Sequence, residues 1–303
     1  MSDERMKFID IGANLCDPQF HGIGPHGRRR HPDDFQDMLD RCVQPKYDVT
    51  HLIITSGCLK DLKSAVDLVK DHENMTTTIG CHPTRSSEVK NAEQYFGEMV
   101  DLYETCPQKF SAIGEFGLDY DRLFFADEET QKRIFDFQFG LAEQLKLPMF
   151  LHSRNCHNDF IDSLRRGIER SGVTKGVVHS FTGSIEEYEE VVELGMFISL
   201  NGCSLKTEEN CDVVRQMDAS HIMLETDCRF CEIKKSHYSH QFVHTKFNTK
   251  RYDRWQKGYL VKNRNEPCKI IQVAEVVSQL MGMKCSDLAG VCYDTTKEFF
   301  NIQ

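Results

Sequence analysis

Eight short apolar runs alternate with amphipathic stretches along this 303-residue chain, and that rhythm narrows the available folds more than any other feature. The strand-like runs are Lys7–Ile11, Thr50–Thr55, Thr76–Gly80, Phe110–Glu115, Pro148–His152, Gly176–His179, Met196–Leu200 and Ile222–Glu225. Helical spacing covers residues 33–43, 60–72, 91–105, 128–146, 156–171, 184–194 and 207–217, then 268–282 and 286–300. In the segment 128–146, Asp127 is placed to cap, and Ile134, Phe137, Leu141 and Leu145 recur at three- and four-residue spacing as one buried stripe. Eight strands alternating with helices, with no linker between them, predict a parallel sheet closed into a single (β/α)8 TIM barrel over residues 1–303. A doubly wound open sheet alternates in the same way. Polar residues at the ends of runs three, four, five, six and eight favour closure, because an open sheet gathers its site at one switch point.

Four of those polar residues are Glu115, His152, His179 and Asp227, each at the end of its run, where a barrel assembles its catalytic groups. A lone strand-end histidine is more often structural. Four such groups in register reverse that expectation: two imidazoles and two carboxylates make a site for one or two divalent metal ions. Such a site polarises a phosphoryl oxygen and makes a nucleophile of water at neutral pH. Glu115 and Asp227 are the candidate catalytic carboxylates. His82, in Gly80-Cys-His-Pro83, is expected at the same mouth as a phosphate-facing or ligand-supporting group, with a plain turn histidine as the equal alternative.

A net charge of −10 argues against a protein that coats nucleic acid with its whole surface. Its distribution points elsewhere. Lys234 to Arg264 holds nine Lys or Arg against Asp253 alone, which is +8 in 31 residues and leaves −18 on the rest. The segment lies in an irregular stretch, 228–267, after the eighth run, and its cations alternate with Phe230, Tyr238, Phe242, Phe247, Tyr252, Trp255 and Tyr259. Cations that track phosphates and rings that stack on bases hold single-stranded nucleic acid. Candidate contacts are Arg229, Lys250, Arg251, Arg254, Trp255 and Arg264. The plain alternative is a solvated loop anchored by its aromatics.

The first residues are charged and no 18-residue apolar stretch follows, so neither secretion nor a membrane span is expected. Thirteen cysteines, an odd number without a framework, read as reduced thiols in the nucleus or cytoplasm. Three patterns are set aside. Gly22-Ile-Gly24-Pro-His-Gly27 fits a dinucleotide fingerprint by letter but lacks the strand before it and the helix after it. Cys228-Arg-Phe-Cys231 has no partner pair at zinc-finger spacing and reads as incidental, with a small prospect of redox sensitivity. Cys81 and His82 are adjacent and point apart, so they form no nucleophile–base dyad.

The chain resembles the TatD-type deoxyribonucleases, in their eukaryotic branch, from Phe8 to Phe300. The resemblance rests on Phe8-Ile-Asp-Ile-Gly-Ala-Asn14, Gly80-Cys-His-Pro83, Ala112-Ile-Gly-Glu-Phe-Gly-Leu-Asp119, Phe150-Leu-His152, Val178-His-Ser-Phe-Thr-Gly183, Leu224-Glu-Thr-Asp227 and Arg264-Asn-Glu-Pro267. It implies a metal-dependent DNase on an amidohydrolase-like barrel, with Glu115, His152, His179 and Asp227 as metal residues and a role in DNA repair or in DNA degradation during cell death. Many members place His-x-His after the first strand, where this chain has Gly12 and Asn14, and Ala-Pro after the last aspartate, where it has Cys228-Arg229. Losing two imidazoles weakens the first metal position and favours Mg²⁺, with Mn²⁺ or Zn²⁺ as alternatives.

The expected function is divalent-metal hydrolysis of DNA phosphodiesters, by trimming of single-stranded, frayed or 3′ ends. Two rivals stand beside it. A barrel metallohydrolase of a small ester or amide, or of D-aminoacyl-tRNA, shares the chemistry, and the basic aromatic loop argues against a small neutral substrate. A nucleic-acid-binding scaffold with weak catalysis would show no metal-dependent turnover.

Overall fold

The computed structural model describes residues 5–302. Eight strands carry the fold: β1 (Met6–Ala13), β2 (Tyr47–Ile54), β3 (Met75–Ile79), β4 (Phe110–Asp119), β5 (Met149–Arg154), β6 (Gly176–Val178), β7 (Phe197–Leu200) and β8 (Ile222–Leu224). Their order in the sheet is sequential, and the strands from β3 to β7 pair in parallel. A parallel bridge joins Ala13, at the end of β1, to Cys228 beyond β8, and the Asn14 amide donates to the Cys228 carbonyl at 2.8 Å. Sequential parallel strands whose first and last members meet form a (β/α)8 barrel, the architecture expected from the alternation. The helices are α1 (Phe35–Cys42), α2 (Leu59–Lys70), α3 (Ala92–Thr105), α4 (Glu128–Leu145), α5 (His157–Ser171), α6 (Ile185–Glu193), α7 (Glu208–Val214), α8 (Ile270–Leu280) and α9 (Cys285–Phe300).

The chain divides into two compact units, one of Ile53–Ser199 and one of Met1–Leu52 with Leu200–Gln303. In the first, α4 shows how sequence becomes structure. Asp127 caps it by accepting from the Thr130 amide at 2.8 Å. The buried face differs from the expected stripe: Gln131, Ile134, Phe135, Gln138, Phe139, Leu141 and Ala142 are buried, while Phe137 is half-buried against Phe96. The shift has a polar cause. Gln138 donates to the Cys81 carbonyl at 3.1 Å and accepts from the Cys81 amide at 2.7 Å. Gln131 does the same for Asp119, at 3.0 and 2.8 Å. Two helix amides thus satisfy the backbone where β3 and β4 stop, fixing the segments that carry His82 and Asp119.

Strand β4 corrects a second expectation. It continues four residues past Glu115 to Asp119, so Glu115 is not its end. The register with β5 shifts between Ile113 and Phe116, where three β4 steps match two on β5. Such a bulge re-aims a side chain next to a site. Close approach to β5 requires a glycine: at Gly117 (φ +148°) a Cβ would lie 1.9 Å from the His152 carbonyl oxygen.

In the second unit α9 packs on β1 and β8. The stretch 228–267, expected to be irregular, is ordered by two-residue parallel strands, Thr249–Lys250 with Leu260–Val261, and by short 3-10 turns at Tyr238–Phe242 and Tyr252–Arg254.

Candidate metal centre

Strands β4, β5 and β6 and the segment after β3 bring four side chains of the first unit to one point. His179 Nε2 lies 2.7 Å from Glu115 Oε1, His152 Nδ1 lies 2.8 Å from the same oxygen, and His82 Nε2 lies 3.2 Å from it. His152 Nδ1 and His179 Nε2 are 3.1 Å apart. Burial would raise the Glu115 carboxyl, but the facing His179, His82 and His152 outweigh it and hold the group well below the usual carboxylate range.

The donors fit a divalent cation. Two ring nitrogens and a carboxylate oxygen in mutual contact are held together by N–H protons or by a cation between them. Ligand atoms of His82, Glu115 and His152 lie within 4.8 Å of one another; imidazole nitrogen suits zinc and transition ions, and carboxylate oxygen suits these and the harder Mg²⁺ and Mn²⁺. His82 stands apart within the set. The Thr84 amide donates to its Nδ1 at 3.1 Å, which leaves the ring proton on Nε2. His82 is therefore a donor facing Glu115, and burial, the largest influence on it, lowers its pKa and keeps it neutral.

Asp119 is a site residue that the sequence reading passed over. Its Oδ2 accepts from His152 Nε2 at 3.2 Å and from Arg122 at 2.6 Å. Although burial opposes it, these partners lower the carboxyl to about 2. Its other oxygen, Oδ1, is buried with no hydrogen-bond partner among the described residues. A carboxylate behind a ligating imidazole fixes the ring's orientation and raises its basicity. The signal was present as an acid closing the otherwise apolar Gly117-Leu-Asp119.

Asp227 belongs to the second unit, just after β8. Asn14 Nδ2 donates to its Oδ1 at 2.8 Å and Cys231 Sγ to its Oδ2 at 3.1 Å. Asn14, in place of the second histidine of His-x-His, thus orients a carboxylate. Position 12 is filled differently: a Cβ there would lie 2.6 Å from Glu225 Oε2, and Glu225 is fully buried. Nearby, Asp10 is buried and accepts from the Thr226 amide at 2.9 Å and the Gly12 amide at 3.2 Å. Burial raises it to about 7, against these hydrogen bonds. A carboxyl raised on folding contributes stability that is complete below its unfolded value near 3.8 and is lost as pH climbs through 7. Asp10→Asn is therefore expected to flatten the fall in urea-unfolding free energy between pH 4 and 8, a fall whose slope for one titrating carboxyl is about 1.4 kcal/mol per pH unit. An unchanged pH profile would show that Asp10 titrates normally.

The candidate substrate contacts divide. Arg254 is exposed and Lys250 half-exposed, its Nζ 4.5 Å from the Tyr259 ring centroid. Arg251 is exposed but paired with Asp253 at 3.0 and 3.1 Å. Trp255 stacks on His31, centroids 6.1 Å apart, and Arg229 pairs with Asp17 and covers the Phe230 ring. Arg264 is a correction. It is 2 % exposed, bonded to Asp34 at 2.6 and 2.9 Å and to Glu266 at 2.8 Å, so it braces the segment instead of meeting a substrate.

A family model described as TatD related DNase matches residues 9–301. The chain belongs to that family, and it is a hydrolytic enzyme. A deoxyribonuclease Tat-D of Schizosaccharomyces pombe is 39 % identical, over 94 % of this chain and 92 % of its own. A TatD-family hydrolase structure from Entamoeba histolytica superposes with TM-score 0.91 at 35 % identity, covering 98 % of both chains. A 3′-5′ ssDNA/RNA exonuclease TatD of Erwinia tasmaniensis is 27 % identical, over 97 % of this chain and all of its own. No helix among the described residues is long and apolar enough to cross a membrane.

Proposed function

We propose that the protein is a divalent-metal-dependent exonuclease that removes nucleotides from single-stranded or frayed DNA ends. The observation that carries this is the convergence of His152 and His179 on Glu115 Oε1 at 2.8 and 2.7 Å, in a chain of a deoxyribonuclease family. The relative named as a 3′-5′ exonuclease on ssDNA and RNA supports the direction. Glu115, His152 and His179 would hold the cation, with Asp227, just after β8, as a further ligand and proton acceptor. A bound divalent cation supplies charge for the phosphoryl oxygens and acidity for the attacking water. Asp119 orients His152, and His82, whose Nε2 proton faces Glu115 Oε1, stands beside the site as its phosphate-facing group. Mg²⁺ is the working ion of the proposal, because Gly12 and Asn14 add no imidazole to His152 and His179 and leave the remaining positions to oxygens; Mn²⁺ and Zn²⁺ are the alternatives. The protein acts in the nucleus or cytoplasm, in repair or in degradation of DNA during cell death.

A 5′-labelled single-stranded oligonucleotide tests the mode. Shortening by one nucleotide at a time from the 3′ end is expected, and a burst of internal fragments would contradict it. Arg254, Lys250 and Arg251 supply the hold on the strand. Replacing all three by Ala is expected to weaken DNA binding and flatten its salt dependence by roughly 0.7 log units per lost single-strand phosphate contact. Arg254, exposed at the surface, carries the largest share, and Arg251 the smallest, because Asp253 already neutralises it. Binding titrations at several salt concentrations measure this. An unaltered slope would make the loop a solvated flap.

A further inference from the structure

The spacing Cys228-x-x-Cys231 invites a pairing that the structure replaces with another. Cys228 is fully buried and bonded through its backbone to Thr226 and Asn14. Cys231 instead faces Cys203, with the two reduced thiols at Sγ–Sγ 2.7 Å. Of the thirteen reduced cysteines nine are buried, and the remaining four are Cys16, Cys203, Cys231 and Cys285. Two of those four therefore make this contact, within reach of solvent. The two backbones also approach closely at this point. A Cβ on Gly202 would lie 2.1 Å from the Cys231 carbonyl oxygen, so the glycine is what lets the two segments close up. Asn201 Oδ1 accepts from the Cys203 amide at 2.8 Å and fixes the other side. Cys231 also donates from Sγ to Asp227 Oδ2 at 3.1 Å.

We propose that Cys203 and Cys231 form a modification site, a spatial dithiol that low-molecular-weight disulfides oxidise to an intramolecular disulfide, and that the modification is transmitted to Asp227. One cysteine thiolate attacks a sulfur of the external disulfide. That S–S bond breaks, one external thiol leaves, and a mixed disulfide forms on the protein. The second cysteine then attacks the Sγ of the first, the bond from that Sγ to the external sulfur breaks, and the second external thiol leaves. Two protein thiols give up two protons and two electrons, and one external disulfide becomes two thiols. The sulfurs need to approach by less than an ångström to reach a bond of about 2.05 Å. Once bonded, Cys231 has no S–H, and Asp227 loses that donor. The effect on hydrolysis rests on the proposed function, in which Asp227 is a ligand; formation of the disulfide does not.

Full-length protein treated with oxidised glutathione tests both parts. Intact mass without reductant is expected to fall by two hydrogens, and a peptide map to join the segments of Cys203 and Cys231. Hydrolysis of a labelled oligonucleotide is expected to fall about tenfold, as on loss of a hydrogen-bond partner of a metal ligand, and to return with dithiothreitol. Cys203→Ser is expected to keep untreated activity and lose the response. A Cys228–Cys231 link, a glutathione adduct without a cross-link, or an unchanged mass would overturn the site. A disulfide that forms without changing hydrolysis would overturn its transmission to Asp227. If the untreated protein hydrolyses no nucleic acid with any divalent cation, the proposed function fails while the peptide map still judges the dithiol.

Discussion

Glu115→Gln is expected to lower hydrolysis of DNA at least about a hundredfold, the scale of losing a principal electrostatic group. The substitution keeps the side chain's shape and removes the charge on which His82, His152 and His179 converge. Without that charge the site loses its anionic anchor for a cation. Folding is expected to survive, because the hydrophobic core is built from strand and helix residues such as Phe116, Phe135, Phe139 and Phe150 and does not rest on the cluster. Turnover per folded molecule, with circular dichroism as the control, measures this. Near-normal turnover in well-folded protein would remove Glu115 from the chemistry.

Arg264→Met is expected to cost stability instead, by about 3–5 kcal/mol, because it strands buried charge. Asp34 and Glu266 have fully buried side chains, and Arg264 bonds both. Arg41 offers a second cation, 2.9 Å from Glu266 and 3.7 Å from Asp34, which places the expected loss at the lower end of that range. Arg264→Lys is not a rescue, since an ammonium lacks the fork that meets both Asp34 oxygens. Urea unfolding of the two variants beside wild type checks the figure. A change within about 0.5 kcal/mol would mean that Arg41 alone satisfies both acids.

These two residues mark how far the sequence could be read. Alternation of strand and helix is a repeated signal, and the barrel followed from it. Glu115, His152 and His179 were legible because each stands near the end of an apolar run. Asp227 stands out by the same pattern, and its carboxylate is bonded by Asn14 and Cys231. Arg264 was misread because a basic stretch reports net charge and cannot report which cation has turned inward. Only tertiary structure brings Asp34, 230 residues away, against it. Gln131 and Gln138 were hidden by the same limit, since a polar residue on a helix reads as solvated until its partner backbone is known. Asp10 and Asp119 were the acids inside or closing apolar runs, a legible pattern that went unused. Gly12 and Asn14 looked like lost ligands. The structure shows a place for each: Glu225 occupies the space beside Gly12, and Asn14 holds Asp227.

The most direct test is hydrolysis of an end-labelled single-stranded oligonucleotide by protein stripped with EDTA, before and after adding back Mg²⁺, Mn²⁺ or Zn²⁺. The stripped protein is expected to be inert, and millimolar Mg²⁺ to restore cleavage in wild type but not in Glu115→Gln. Cleavage that continues in excess EDTA, or a wild-type protein that stays inert with all three ions, would contradict a metal-dependent nuclease centred on Glu115.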